Sequence, residues 1–114
     1  MADETLPLLK GTLDLLVLKA LSWGPQHGFA LALWLEERAD GEMKVDDSAL
    51  YHALHRLEGR ELVEGSWAQT EKGRRARYYK LTAAGTKQLR HEAATWQRYA
   101  RVVEGILAFA PRKG

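Results

Sequence analysis

The sequence of 114 residues contains no cysteine, which excludes disulfide bonds, thiolate zinc sites and cysteine nucleophiles. It also lacks long apolar runs, since no segment reaches the roughly 18 uninterrupted apolar residues that suggest a membrane-spanning helix. The first ten residues, MADETLPLLK, lack the basic start of a signal peptide. We therefore expect a cytoplasmic protein that is neither inserted in a membrane nor secreted.

Motifs of catalytic sites are missing as well. The sequence has no glycine-rich phosphate loop, no paired carboxylates at an apolar cleft and no Ser/His/Asp arrangement. His52 and His55 are three residues apart on one helix face, but two imidazoles without a nearby third ligand make an incomplete metal site. We predict that the protein is not an enzyme and holds no metal or cofactor.

The composition is that of one folded domain. Apolar residues make up 46% and charged residues 28%, close to the averages of globular proteins. The net charge of +2 is unevenly distributed: residues 1–66 hold six basic and twelve acidic side chains, residues 67–80 five and one, and residues 81–114 six and two. The basic middle segment is either an anion-binding element or a solvated loop.

Three helices are predicted in the acidic half of the chain. Dense apolar residues predict a buried first helix over residues 6–21 and a second helix from Phe29 into the acidic segment 36–41. The third helix begins at one of two adjacent aspartates, Asp46 or Asp47, because either side chain can cap the free amides there. It is predicted to end at about residue 58.

The third helix is amphipathic. At about 100° per residue, one apolar sector faces the core. This sector holds Leu50, Ala53, Leu54 and Leu57. The opposite face is polar, aromatic and mildly cationic, and it holds Ser48, Tyr51, His52, His55 and Arg56. These side chains can donate or accept hydrogen bonds at a partner surface.

A β-hairpin is predicted next. Residues 62–67 and 76–81 are rich in β-branched and aromatic residues, and a polar loop with Gly73 separates them. Tyr78 and Tyr79 point to opposite faces of the second strand, and Tyr79 is the expected core member because it shares parity with Leu81. The tip of the hairpin carries Lys72, Arg74 and Arg75.

The last predicted helix runs from the capping residue Thr82 to about residue 110, where Pro111 ends it. It carries a heptad seam of apolar residues, and a lone helix with such a seam needs a partner helix. The seam consists of Leu89, Ala93, Trp96, Ala100, Val103 and Leu107. Trp96 is either a packing residue of that interface or an aromatic platform for a flat ligand.

Three helices followed by a hairpin is the order of a winged helix-turn-helix, in which the third helix enters the DNA major groove. We predict a mainly α protein with a small β-hairpin (α+β), with a DNA-binding domain over residues 1–81 and a dimerisation helix over residues 82–110. Double-stranded DNA is the predicted partner, since the cations at the hairpin tip, the wing, can neutralise phosphates.

The sequence resembles the PadR-like transcriptional regulators over about residues 6–110. The motifs that carry the resemblance are LKGTLDLLVL at 9–18, GPQHGF at 24–29, SALYHALHRLE at 48–58, and GRRARYYKLT at 73–82 with Gly85. The resemblance implies a homodimer built by the C-terminal helix, which represses transcription by binding a pseudo-palindromic operator. Some relatives release DNA when a small aromatic compound binds near the dimer interface, so Trp96 is an effector-binding candidate.

Position by position, Ser48 and Tyr51 match recognition-helix residues, and the cations at the tip match the wing. Relatives often have proline where this chain has His52, which adds hydrogen-bonding capacity, and glycine where it has Glu61. His27 matches a family position and is expected to shape the start of the second helix. The predicted DNA-binding residues are Ser48, Tyr51, His52, His55, Lys72, Arg74, Arg75 and Arg77.

One alternative function has the same fold. A winged helix can bind another protein instead of specific DNA. This alternative assigns no required function to the cations at the tip of the hairpin.

Overall fold

The computed structural model of the protein describes residues 5–9 and 11–112. The first four residues of the predicted DNA-binding domain, and residue 10 of the predicted first helix, lie outside this range. The described part has four helices and three strands: α1 Thr12–Leu21, β1 Gln26–His27, α2 Gly28–Arg38, α3 Asp47–Gly59, β2 Val63–Gln69, β3 Arg75–Leu81 and α4 Ala83–Ala108. The predicted α+β fold is confirmed, with one additional short strand.

The core lies where the first three helices meet the base of the sheet. Its largest fully buried side chains are Val17, Leu18, Leu31, Leu54, Leu57 and Val63. The predicted inner sector of α3 is buried throughout, with exposed fractions of 0–4% at Leu50, Ala53, Leu54 and Leu57. Tyr79 also lies in this core, as its strand parity predicted.

The prediction that the first helix begins at residue 6 is wrong, because α1 begins at Thr12. Gly11 precedes it with φ 84°, in the left-handed region that a continuous helix cannot contain. Pro7 also disfavours helical geometry at Leu6, whose N–H donates instead to the carbonyl oxygen of Glu42 at 2.6 Å. The apolar residues 6–9 therefore lie outside the helix, and Leu6 and Leu9 are more than half exposed.

Side chains cap the other three helices, and each satisfies a backbone N–H that the helix leaves without a partner. The Nδ1 atom of His27 accepts from the N–H of Ala30 at 3.3 Å, which explains its expected role at the start of α2. At α3 the cap is Asp46, the first of the two predicted aspartates. Thr82 caps α4 as predicted, and that helix ends at Ala108, two residues earlier than predicted.

The sheet is antiparallel with strand order β1, β3, β2. The predicted hairpin is present, but its strands extend further towards the tip, and Gln69 pairs with Arg75 as the last register position. Arg75 therefore lies in β3 and not on the loop. β1 was not predicted, and its two residues pair with Tyr78 and Tyr79 of β3. A strand of two residues has no alternation pattern that could reveal it.

The junction between α3 and the wing contains Glu61, which occupies the left-handed region with φ 60°. This conformation costs a non-glycine residue about 1–2 kcal/mol, a cost that glycine would avoid. Two hydrogen bonds from Thr82 hold the junction. The Thr82 hydroxyl donates to the carbonyl oxygen of Glu61 at 2.7 Å, and the Thr82 N–H donates to the carbonyl oxygen of Leu62 at 3.1 Å.

Helix α4 protrudes from the rest of the molecule. Of its 26 residues only Gly85 is buried. The Cα radius of gyration is 17.1 Å and the longest dimension 69 Å, whereas a compact domain of this length has a radius of roughly 13 Å. Most of the helix surface is therefore available to a partner.

Gly85 allows α4 to approach the sheet, because a Cβ atom there would overlap the backbone carbonyl oxygen of Leu62. We expect Gly85→Ala to destabilise the fold by about 1–3 kcal/mol through overpacking. Gly105 is the matched control in the same helix, since a Cβ atom there meets nothing within 4 Å. Gly105→Ala should stabilise by about 0.5–1 kcal/mol. Urea unfolding of both variants measures the change in the free energy of unfolding. Equal changes in the two variants would contradict the close packing at Gly85.

Candidate nucleic-acid interface

The outer face of α3 is exposed at every residue that the sequence analysis assigned to DNA. Ser48, Tyr51, His52 and His55 are all exposed, and Tyr51 is 65% accessible. Burial of the opposite sector fixes this orientation, because inner and outer residues alternate with the helical period. Hydroxyl, phenol and imidazole groups thus form one contiguous polar face.

An acidic group begins this face. The carboxylate of Asp46 accepts from the Ser48 hydroxyl at 2.8 Å and from the N–H of Ala49 at 3.1 Å. These two hydrogen bonds, with that of Ser48 the larger effect, hold the pKa of Asp46 below its usual value. The Ser48 hydroxyl is therefore held at the start of the polar face, beside a carboxylate that can accept further hydrogen bonds.

Arg56 has a different role from the other outer-face residues. Its Nη2 atom contacts Oδ1 of Asp14 in α1 at 2.7 Å, and the Asp14 side chain is only 15% exposed. The hydrogen bond raises the pKa of Arg56. This ion pair attaches α3 to α1. The rest of the exposed outer face consists of Ser48, Tyr51, His52 and His55.

The wing tip is a loop of residues 70–74 built around Thr70. The Thr70 N–H donates to the carbonyl oxygen of Arg74 at 2.7 Å, and the Thr70 Oγ1 atom accepts from the N–H of Arg74 at 3.2 Å. Gly73 supplies the required left-handed residue, with φ 78°. Lys72 and Arg74 are exposed on this loop, and Arg75 is exposed at the start of β3. Within the described ranges no ion pair involves these three cations.

Trp67 supports one of the wing cations. The guanidinium carbon of Arg75 lies 4.8 Å from the centroid of its ring, within range of a cation–π interaction. Trp67 was not among the predicted interface residues, although this residue is 56% exposed. Strand parity could have indicated it, because residues 67 and 75 lie on the same face of the hairpin.

Arg77 differs from the other predicted DNA-binding cations. Its Nη2 atom is 2.5 Å from Oε2 of Glu58 in α3, and both side chains are about one-third exposed. The hydrogen bond with Glu58 raises the pKa of Arg77, and burial raises the pKa of the neighbouring Tyr79 phenol. A cleft of about 380 Å³ separates α3 from the wing here. Its lining is Tyr51, His55, Glu58, Gly59, Arg77 and Tyr79.

The predicted seam of α4 divides into two parts. Leu89 packs against the core of the same chain, and Ala93 and Ala100 are half-buried. Trp96, Val103 and Leu107 are 42%, 38% and 79% exposed, and Tyr99, Val102 and Ile106 extend the apolar face. This face leads into a groove of about 560 Å³ between α1 and α4, which Leu9, Leu15, Trp96 and Tyr99 help to line.

Comparison with known proteins identifies the family. Residues 17–91, about two thirds of the chain, match the model of the transcriptional regulator PadR-like family. The chain belongs to this family. It is a DNA-binding transcription regulator with a PadR-like winged helix. PadR proteins are transcription regulators and not enzymes, which confirms the prediction that this protein is not an enzyme.

Solved PadR structures share this fold. A PadR family regulator from Eggerthella lenta is 31% identical, with a TM-score of 0.75 over 89% of this chain and 86% of its own. A PadR-like regulator from Bacillus cereus is 25% identical, with a TM-score of 0.77 over 90% and 97%. The chain is also 41% identical to a transposon-encoded protein of Streptomyces fradiae over 82% of its length, but spans only 26% of that protein.

Two further observations concern this PadR-like chain. Among its described residues, no group of three or more His, Cys, Asp and Glu side chains could hold a metal ion, so His52 and His55 have no third ligand there. The described helices also include none that is long and apolar enough to cross a membrane.

Proposed function

We propose that this PadR-like regulator is a homodimeric repressor that acts in the cytoplasm on a pseudo-palindromic operator. The observation that carries the proposal is the continuity of the polar face of α3 with the wing. Tyr51 and His55 of α3 border the same cleft as Arg77 of β3, so one surface carries both elements. In this arrangement α3 reads base edges while Lys72 and the neighbouring arginines neutralise phosphates.

The exposed apolar face of α4 supports the homodimer. Six large apolar side chains between Trp96 and Leu107 are exposed on a helix that otherwise projects into solvent. Exposed apolar residues at heptad spacing are the pattern of a helix that packs on another helix. A second copy presents the same face, so two α4 helices can cover each other. The proposed dimerisation helix is residues 82–110, and the proposed DNA-binding domain is residues 1–81.

A twofold dimer presents two recognition helices to one side of the DNA. When they enter successive major grooves, their centres lie about 34 Å apart. The two halves of the operator are then inverted copies of each other. Bound at a promoter, such a dimer competes with other proteins for the same DNA, which is the simplest route to repression.

The proposal predicts different effects for the two DNA-contacting elements. Arg74→Ala and Arg75→Ala should weaken binding to every duplex, and each should flatten the slope of log affinity against log salt by about 2 per dimer. Tyr51→Ala and His52→Ala should instead change which sequence is preferred. Fluorescence anisotropy with different duplexes at several salt concentrations measures both the salt slope and the sequence preference. Lys87→Ala, an exposed cation on α4, is the control.

The same assay separates the proposal from its alternative. Wild-type protein should bind the DNA upstream of its own coding sequence more tightly than random duplex at physiological salt. Equal affinities would contradict a specific repressor. Equal affinities together with cross-linking to a protein partner would support the winged helix as a protein-binding module.

The proposed dimer is tested by a charge placed in its seam. Leu107→Glu should produce monomers, because a carboxylate cannot be buried in an apolar interface without a partner. Arg101→Glu changes charge on the opposite side of α4 and should leave the dimer intact. Sedimentation equilibrium gives the mass of each variant. A Leu107→Glu variant that remains dimeric would contradict the proposed interface.

We further propose that the groove beside Trp96 accepts a flat aromatic effector that weakens DNA binding. Trp96 and Tyr99 provide aromatic surfaces there, and Leu9 and Leu15 provide apolar contacts. A compound that binds should raise the melting temperature, quench tryptophan fluorescence and lower operator affinity. Trp96→Leu should remove all three responses, whereas Trp23→Leu should retain them. A library without a stabilising or quenching compound would contradict this part of the proposal.

A further inference from the structure

We propose that the Glu58–Arg77 ion pair is a brace that holds the wing at a fixed position relative to the recognition helix. Arg77 is then a positioning residue that acts through Glu58, in contrast to the phosphate contact that the sequence analysis predicted for it. This inference rests on the proposed DNA-binding function, because the brace matters only when α3 and the wing contact one DNA molecule together.

The location of the ion pair suits this role. Glu58 lies in the last turn of α3, and Arg77 lies in β3, where it pairs with Trp67 of β2. Tyr79 lies two residues after Arg77 in β3, on the same face and nearer the base of the hairpin. It pairs with Gly65 and is buried in the core. The ion pair therefore joins α3 to the first part of the wing that extends beyond the core.

The surroundings of Arg77 restrict its side chain. Its guanidinium carbon lies 5.8 Å from the ring centroids of both Trp67 and Tyr79. A Cβ atom at residue 65 would lie 2.7 Å from the Nε and Nη2 atoms of Arg77, so the guanidinium occupies space that only glycine leaves open. Together these neighbours direct Nη2 towards Glu58 and hold the group away from the exposed tip.

The charge of the pair distinguishes a brace from a phosphate contact. Glu58 and Arg77 together carry no net charge, so the pair releases no counterions on binding DNA. Removal of an acidic side chain near DNA ordinarily strengthens binding, because repulsion of phosphates decreases. A brace predicts the opposite result for operator DNA, since the wing loses its fixed position when Glu58 is neutralised.

The test compares Glu58→Gln, Arg77→Gln and the double variant on a duplex selected from a random pool with wild-type protein. We expect each single variant to bind this duplex about tenfold more weakly, which is about 1.4 kcal/mol. The double variant should be no weaker than either single one, because the two residues act as a unit. All three should keep the wild-type salt slope. Glu64→Gln, which neutralises an exposed carboxylate on β2, is the control and should bind at least as tightly as wild-type protein.

A phosphate contact by Arg77 gives a different set of results. Arg77→Gln would then flatten the salt slope by about 2 per dimer, Glu58→Gln would bind at least as tightly as wild-type protein, and the losses would not be coupled. Any of these outcomes overturns the brace. Thermal unfolding of each variant shows whether a loss of binding reflects a loss of folding.

Gly65→Ala tests the geometry with both charges retained. The added Cβ displaces the flexible end of Arg77 and no backbone atom, so we expect an unchanged or higher melting temperature. Operator affinity should fall as it does for Glu58→Gln. Wild-type affinity in Gly65→Ala would overturn the proposal.

A measurement without DNA separates the brace from the proposed function. Amide hydrogen exchange in β2 and β3 should accelerate in Glu58→Gln and Gly65→Ala, but not in Glu64→Gln. If wild-type protein shows no preference for any duplex, the proposed function fails while accelerated exchange still supports the brace. Unchanged exchange in the free protein overturns the brace whatever the DNA assays show.

Discussion

Burial of one face of α3 is the constraint on which the remaining structure depends. Its leucine and alanine sector occupies the centre of the core, and each fully buried leucine contributes about 1.5–3 kcal/mol. Because a helix cannot bury one face without presenting the other, the same contacts expose the polar residues from Ser48 to His55. Stability and the proposed DNA recognition are therefore linked through a single helix, and the Asp14–Arg56 ion pair reinforces its orientation.

The elements beyond this core depend on partners or on specific contacts. The wing tip is a cationic loop shaped by Thr70, and α4 carries an apolar face that its own chain leaves largely exposed. In the proposed complex, DNA phosphates face the first element and a second copy covers the other. The Glu58–Arg77 pair connects the wing to α3. In the proposed complex it fixes the arrangement in which these two elements are presented to DNA.

Local periodicity and capping chemistry made much of the fold predictable. The inner face of α3, the Thr82 cap and the burial of Tyr79 all depend on neighbours a few residues away. The late start of α1 has a local cause as well, in Gly11 and Pro7, which the density of apolar residues obscured. The two residues of β1, in contrast, form a strand only because β3 lies beside them. The Glu58–Arg77 ion pair was not predicted, because its two residues are 19 positions apart in the sequence.

The central claim is that two copies of the chain read an inverted DNA repeat with their α3 helices. Selection of bound sequences from a random DNA pool at physiological salt tests it most directly. The account predicts enrichment of two inverted half-sites whose centres lie about one helical turn, 10–10.5 base pairs, apart. Enrichment of a single half-site, or of no sequence at all, would contradict it.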